Sequence, residues 1–403
     1  MTRRLLTVLF PTVLLLCAAA CQSDGDTPSD AVTRTDSAGI EVVTNLTDPG
    51  SLPHRALALI PELDITSDEE SGLLLFQVSA IEPLEGDRIA VGSSGTGTVL
   101  VFDGEGELIT SIGREGDGPG EFRSIQSVLA LPNDSLAVYD ARRGRLTVFS
   151  LEGAVGRMVD LSGLPLGDWS TIHRFPDGFA LIGVASIGEA NERGIYRSRA
   201  PSFRLGLAGD SLASYGELPG MEMFYNEVAL GALTFGSTLF TGTRGDRLVV
   251  GLADSPELRE YASTGALARL IRWPDHDRQV TEARIAEFVE HMVQSLPEAQ
   301  REQGRAQLGG MPYSPTEPAY YDLVVADNGA VWVGDYPGHA FRTLGTPGPA
   351  RRWIVIDSTG TLTEVVETPP GFQLMAVADG RAFGVQIDEL GVESVRVYAV
   401  ETR

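Results

Sequence analysis

The sequence predicts an all-β protein built from repeated four-stranded units, and three features of the chain support this. The stretch from Ala130 to Met158 contains short apolar runs separated by turn-forming residues, as three short strands would. The same pattern occurs 47 residues earlier, where Ile89 matches Leu136 and Phe102 matches Phe149. The 403 residues include 46 Gly and 23 Pro and are 43% hydrophobic, which suits many turns and a large core.

A single meander cannot bury both of its faces, so copies of the unit are expected to stack. Repeats of this length with three or four strands are typical of propeller blades. Six copies can be counted by the turn that precedes their second strand, and these turns contain Asp87, Asp134, Asp177, Asp246, Asn328 and Asp379. The sequence therefore predicts a six-bladed β-propeller of four-stranded blades over residues 39–403.

The first 20 residues have the composition of an export signal. Arg3-Arg4 precedes the apolar run Leu5 to Leu16, and Ala18-Ala19-Ala20-Cys21 follows it. This resembles a bacterial lipoprotein signal with its lipobox, although Ala18 stands where that family prefers Leu. The alternatives are an ordinary secretory signal cleaved near Ala20 and a transmembrane anchor, and the apolar run is short for the latter because a span needs about 20 residues.

The lipoprotein interpretation makes Cys21 the lipidated N-terminus and the protein's link to a membrane of the bacterial cell envelope. Gln22 rather than Asp follows Cys21, which resembles the pattern of lipoproteins sent to the outer membrane. Residues 21–38 are mostly small and polar, so we expect a flexible acidic tether there.

The two ends of the chain are expected to close the ring of blades together. The last unit ends with the strand-like run Ser394 to Val400 and has no fourth run behind it. Two strand-like runs, Ile40 to Val43 and Ala56 to Ile60, precede the first unit. Because an open seam would leave an unpaired edge, we expect one of these runs to supply the missing outer strand.

A helical insertion is predicted at about residues 279–310, between units four and five. Ile285, Phe288, Val289, Met292, Val293 and Leu296 form an apolar stripe at helical spacing. Thr281 precedes the helix as a candidate N-cap. The stripe could pack on the side or rim of the propeller, or the helix could form a lid over the central channel.

The repeats resemble a known group of proteins. Runs such as Val99-Leu100-Val101-Phe102-Asp103, followed by turns ending in Gly, and the segment Gly113 to Phe122 resemble six-bladed propeller lipoproteins related to NHL repeats. The resemblance extends over roughly Ala56 to Thr402, and it implies a ring of six blades around a central channel.

Charge and composition exclude several functions. All 31 basic residues are Arg, so a Walker A lysine and a Schiff-base lysine are absent. The formal net charge of −24 would repel nucleic acid and anionic membrane surfaces. We expect a monomer whose partners are the membrane, through Cys21, and an unknown ligand or envelope protein.

Candidate binding residues should stand where the innermost strands begin, around the central funnel. In this chain those positions are predicted to be Gln77, Arg123, His173, Asn226, Glu227, Tyr321 and Gln373. Sugar lactonases and some other six-bladed propellers hold an axial calcium at such positions, but this set contains a single carboxylate, whereas calcium prefers several. We therefore expect no cofactor and no metal, with axial calcium as the alternative.

Three functions remain open, because one fold can serve all of them. The sequence favours a non-catalytic binding or scaffold module at the central funnel, and no catalytic residue is assigned. The alternatives are an axial-metal propeller hydrolase or lyase, similar to lactonases, and a structural component of the envelope.

Overall fold

The computed structural model describes residues 31–68, 70–167, 170–183, 193–225, 230–338 and 348–402. Four strands precede the first repeat, and they are β1 (Val32–Ser37), β2 (Ile40–Asn45), β3 (His54–Leu57) and β4 (Leu63–Thr66).

The repeats form antiparallel meanders, and each meander is one blade. Blade one contains β5 (Val78–Pro83), β6 (Ile89–Ser93), β7 (Thr98–Phe102) and β8 (Leu108–Ile112). Blade two contains β9 (Ile125–Leu131), β10 (Ser135–Asp140), β11 (Arg145–Ser150) and β12 (Val155–Asp160). Blade three contains β13 (Thr171–Phe175), β14 (Gly178–Ile182), the long hairpin β15 (Gly194–Gly206) and β16 (Ser211–Tyr225), and β17 (Leu230–Ala232).

The second half of the ring follows the same order. Blade four contains β18 (Phe240–Arg244), β19 (Arg247–Gly251), β20 (Glu257–Tyr261) and β21 (Leu267–Arg272). Blade five contains β22 (Asp322–Val325), β23 (Val331–Gly334), β24 (Arg351–Ile356) and β25 (Leu362–Thr368). Blade six contains β26 (Phe372–Ala378), β27 (Arg381–Ile387) and β28 (Glu393–Thr402). The protein is thus a six-bladed β-propeller, as predicted.

The six predicted turns all lie between the first and second strands of their blades. Several of them place a residue other than Gly at positive φ, as at Asp87 (58°), Asp134 (49°) and Asp379 (50°). Asp and Asn tolerate this conformation better than most residues, which explains why they mark the turns.

The outer strand of blade six is β4, which neither predicted N-terminal run includes. Ser394 pairs with Thr66 and Val397 with Leu63 in antiparallel register. Ile65 is 4% exposed and joins the core between blades six and one, which holds this short strand in place.

The two predicted runs extend other blades instead. β2 pairs in parallel with β21 of blade four. β3 pairs in parallel with β25 of blade five, and Leu57 also lies opposite Val400 of β28. The predicted run Ala56 to Ile60 continues past this strand, where Leu59 and Ile60 are exposed.

The predicted tether, residues 21–38, is wrong over its last residues because Val32–Ser37 form β1. This strand pairs with β2 through a tight turn at Ala38 and Gly39, both at positive φ. All but the first of its residues are exposed, so an edge strand there has the polar composition of a linker. The signal peptide and Cys21 lie outside the described residues.

The core lies between the faces of neighbouring blades. Trp332 and Trp353, for example, pack between blades five and six and are 4% and 1% exposed. The segment Gly113 to Phe122 crosses from β8 to β9, where Phe122 is buried against Phe149 with ring centroids 5.8 Å apart. A Cβ on Gly113, at φ 84°, would lie 2.5 Å from the Phe122 ring, so this crossing requires glycine.

The predicted insertion contains two α-helices, α1 (Glu282–Gln294) and α2 (Arg301–Gly309), and a 3₁₀ turn at Glu298–Gln300. Thr281 caps α1 by accepting a hydrogen bond from the Arg284 backbone N–H at 3.2 Å. The predicted stripe is the packed face. Its Phe288 contacts Phe235, in the loop leading into blade four, and Tyr313, in the segment leading to blade five, with ring centroids 5.4 and 6.0 Å away. The helix therefore packs on connecting segments at the face where the innermost strands begin.

Candidate functional site

A cavity of about 580 Å³ lies in the central channel of the propeller. All six innermost strands, β5, β9, β13, β18, β22 and β26, contribute to its lining. The residues involved lie mainly in the later parts of these strands, such as His173 to Phe175 and Met375 to Ala378. The cavity is therefore nearer to the face where the innermost strands end than to the face where they begin.

The lining combines apolar side chains with polar groups, and polar atoms form the larger share of its exposed surface. Ile81, Leu129, Leu323 and Met375 are among the apolar side chains. The polar and charged residues of β5, β13 and β18 in the lining are Glu82, His173, Arg174, Thr241, Thr243 and Arg244. Small-molecule sites usually surround a few convergent polar groups with apolar surface, and this cavity is more polar than that.

His173 lies in the middle of β13, and its Nε2 forms a hydrogen bond of 2.8 Å with Oγ1 of Thr241 on β18. Burial lowers the pKa of His173 to about 4 because the charged imidazolium would lose its hydration. The imidazole is therefore neutral near pH 7, and its hydrogen bond joins the inner strands of blades three and four.

Glu82 occupies the end of β5, and its Oε1 accepts a hydrogen bond from the Ala130 backbone N–H at 2.8 Å. Burial raises the pKa of Glu82 to about 7, against the opposing effects of that hydrogen bond and of the positive charge of Arg174. Near neutral pH the carboxyl group is then close to half protonated, so it can donate as well as accept a hydrogen bond.

Arg174 follows His173 on β13, and its backbone carbonyl accepts a hydrogen bond of 2.7 Å from Thr243 Oγ1. Its guanidinium has no hydrogen-bond or ion-pair partner within the described residues. Arg174 lines both the central cavity and a neighbouring groove of about 390 Å³ beside Glu82, Arg88 and Asn133. It thus presents a positive charge where the two spaces meet.

Of the seven residues predicted for the funnel, His173 lies in the cavity lining. Gln77, Arg123 and Tyr321 stand just before β5, β9 and β22, near the opposite end of the channel. Gln373 is the second residue of β26 and is likewise outside the lining.

Asn226 and Glu227 lie outside the described residues. The innermost strand of blade four is Phe240–Arg244, however, so the predicted start of that strand at Asn226 is wrong. The long hairpin of blade three accounts for the error, because it ends at Tyr225 with a strand that resembles the beginning of a new unit.

The predicted residues at the opposite end have partners in the connecting segments. The Arg123 guanidinium pairs with Asp117 at 2.8 Å and Glu115 at 3.2 Å, both in the crossing between blades one and two. Tyr321 packs against Phe240 and Tyr336 with ring centroids 6.1 and 5.8 Å away. Within the described part of the chain, no group of three His, Cys, Asp or Glu side chains is close enough to hold a metal ion.

Comparisons with known proteins add to the fold. A family model described as DUF5128, a 6-bladed β-propeller, matches residues 66–162, which span blades one and two. No curated protein matches the chain. Among the described residues, no helix has the length and apolar character needed to cross a bilayer.

Several solved structures are similar over most of their length. An exported protein from Bacteroides fragilis is 11% identical, with 90% of this chain and 99% of that chain covered and a TM-score of 0.48. The calcium-binding protein regucalcin from Agrobacterium tumefaciens is 11% identical, with 87% and 97% covered and a TM-score of 0.41. Virginiamycin B lyase from Staphylococcus aureus is 9% identical, with 81% and 97% covered and a TM-score of 0.39.

Proposed function

We propose that the protein is a lipid-anchored propeller of the bacterial outer membrane that binds a small molecule in its central channel without transforming it. The observation that carries this proposal is the cavity of about 580 Å³ to which all six blades contribute. A volume of that order is typical of small-molecule sites. Glu82, His173 and Thr241 offer polar contacts inside it.

The N-terminal sequence supports the anchor. Residues 1–20 resemble a lipoprotein signal that ends at Cys21, and an acyl chain on Cys21 would hold the protein at a membrane with about 0.8 kcal/mol per buried methylene. The ten residues from Gln22 to Ala31 can span at most about 35 Å before β1 begins.

The strand directions support an orientation for the anchored protein. β1 is antiparallel to β2, β2 is parallel to β21, and β21 is antiparallel to β18 through the two intervening strands. β1 thus runs in the same direction as the innermost strand of blade four, and Val32 lies at the face where the innermost strands begin. The tether leaves this face, so the cavity near the opposite face would open away from the membrane.

Replacing the proposed acylation site tests the anchor. We expect Cys21→Ser to move the protein from the membrane fraction to the soluble fraction of its host, because a thiol is needed for lipidation. Cys17, the other cysteine of the chain, lies within the signal that would be removed. Cys17→Ser is therefore the matched control, and we expect it to remain in the membrane fraction. Membrane-bound Cys21→Ser protein would contradict the lipid anchor and leave the channel proposal in place.

Blocking the channel tests the binding function. Met375 lines the cavity, so we expect Met375→Trp to reduce the space available to a ligand, whereas Met375→Leu conserves volume and serves as the control. Protein isolated from the native membrane should release a small molecule, detected by mass spectrometry after denaturation. We expect this molecule with the wild type and Met375→Leu, and a loss of at least about tenfold with Met375→Trp.

The same experiment separates the proposal from its alternative. Equal recovery of the molecule from both Met375 variants would overturn binding in the channel. A molecule that the wild-type protein chemically alters during incubation, or a metal recovered in equal amount with the protein, would favour the metal-dependent hydrolase or lyase.

A further inference from the structure

We propose that the channel ligand carries an anionic group, a carboxylate or a phosphate, that binds Arg174, with Glu82 and Thr241 beside it. This inference rests on the proposed binding function and adds the chemical class of the ligand. It is based on a difference between Arg174, whose guanidinium has no partner within the described residues, and the other charged groups around the same cavity, which have partners.

Arg244, the other arginine in the lining, has hydrogen-bond and ion-pair partners. Arg244 donates hydrogen bonds to the carbonyls of Gly329 at 3.1 Å and Asp357 at 3.0 Å, and it pairs with the buried Glu260. Arg174 has no such partners within the described residues, although it is only partly exposed. A half-buried guanidinium with no direct ion-pair partner has N–H donors available, and an anion would accept charge-assisted hydrogen bonds from them.

The two carboxyl groups in the lining accept hydrogen bonds from backbone N–H groups. Asp327 accepts hydrogen bonds from the backbone N–H groups of Asn328 at 2.7 Å and Asp379 at 3.0 Å. Glu82 accepts one from Ala130, and burial raises its pKa to about 7, so it carries less negative charge near neutral pH than an exposed glutamate does. Neither carboxyl group lies within ion-pair distance of Arg174, so the guanidinium remains available to a ligand.

The residues that line the cavity around Arg174 determine which other groups the ligand can carry. Ile81, Leu129, Leu323 and Met375 present apolar surface to the cavity. The polar part of the lining includes His173, Thr241 and Thr243, so a ligand that fits this cavity combines one charged end with both polar and apolar surface. The class is therefore a small organic anion, and an inorganic anion alone would use only Arg174.

Four probes that share a phenyl ring and differ in charge test the class of ligand in the full-length protein in detergent. Benzoate and phenyl phosphate are anionic, benzamide is neutral and benzamidine is cationic, and calorimetry or ligand-detected NMR can measure the binding of each. We expect at least one of the two anions to bind about tenfold or more tightly than benzamide, since a hydrogen bond to a charged group contributes more than a neutral one. Which anion binds better distinguishes a carboxylate ligand from a phosphate ligand.

Arginine variants test the assignment to Arg174. We expect Arg174→Met to remove the preference for the anion and Arg174→Lys to retain part of it. Arg142→Met is the matched control, because it removes one positive charge from an exposed turn at the opposite face and should leave the preference unchanged. Melting temperatures of the three variants show whether each is folded.

The pH dependence gives a second measurement. The pKa of Glu82 is raised to about 7, so the carboxyl group gains negative charge as the pH rises from 6 to 8. The affinity for benzoate, which is fully ionised throughout this range, should fall, and Glu82→Gln should remove most of that change. The pKa of His173 is lowered to about 4, so its charge stays constant there, and Arg244 and Asp327 are the other charged groups that face the cavity.

The outcomes distinguish a failure of the anionic-ligand proposal from a failure of binding in the channel. Binding of benzamide or benzamidine as tight as that of the better-bound anion, abolished by Met375→Trp, would overturn the anionic ligand and support binding in the channel. An anion preference that Arg174→Met leaves intact in a folded protein would also overturn it. If none of the four probes binds in a manner sensitive to Met375→Trp, both proposals fail.

Discussion

A chain that begins at Ser67 should fail to fold cooperatively, whereas a chain that begins at Val32 should keep the melting temperature of the mature protein. The longer deletion removes β1 to β4, and with them the outer strand of blade six. β28 would then present an open edge along Ser394 to Val397, in a ring that has no other strand to cover it.

The buried side chains that are removed with β1 to β4 explain why we expect a large loss of stability. Ile65, Leu57 and Val43 are 4%, 5% and 0% exposed and belong to the cores between three different pairs of blades. Burying such side chains contributes about 1.5–3 kcal/mol each. Their combined loss approaches the entire stability of a typical domain, which is about 5–15 kcal/mol.

A third chain that begins at Leu52 should fall between these two. It lacks β1 and β2 but retains β3 and the closing strand β4. It also loses the buried side chain of Asn45, which donates to the carbonyls of Arg272 at 3.1 Å and Gly360 at 3.0 Å. Calorimetry and urea titration measure the order of stability of the three chains. Equal melting temperatures for the chains beginning at Val32 and Ser67 would refute closure of the ring by β4.

The fold was predictable because its signals are local. Turn residues such as Asp87 and Asp379 mark every blade, and the spacing between Ile89 and Leu136 reflects equal strand lengths in two blades. The closing strand was harder to find. Leu63–Thr66 contains four residues, two of them polar, so its role depends on the distant β28 rather than on its own composition.

The site was less predictable than the fold because its geometry depends on the register of all six blades. His173 was selected from its position in an innermost strand. Glu82 and Arg174 lie in ordinary-looking strands without a motif, and their proximity to one cavity follows only from the closed ring.

The second large effect is expected at Glu260, where replacement by Ala should lower the free energy of unfolding by about 3–5 kcal/mol. Glu260 is fully buried on β20 and faces three arginines. Its Oε2 lies 3.2 Å from Arg247 Nη1 and 3.5 Å from Arg269 Nη1, and its Oε1 contacts Arg244. The Arg244 side chain is 8% exposed, so Glu260→Ala would leave a buried guanidinium without its carboxylate.

Burial and the nearby charges of Arg269 and Arg247 already lower the pKa of Arg244 to about 10, so this arginine depends on Glu260 more than an exposed one would. Glu217→Ala is the matched control. It removes a glutamate 2.7 Å from Arg199 in a pair whose side chains are 56% and 74% exposed, and such surface pairs contribute about 0–1 kcal/mol.

Urea titration measures the loss of unfolding free energy in Glu260→Ala and in Glu217→Ala. The double variant Glu260→Leu with Arg244→Leu should lose less than Glu260→Ala, because it removes the Arg244 charge together with its partner. If Glu260→Ala costs no more than Glu217→Ala, the buried carboxylate does not hold the three arginines.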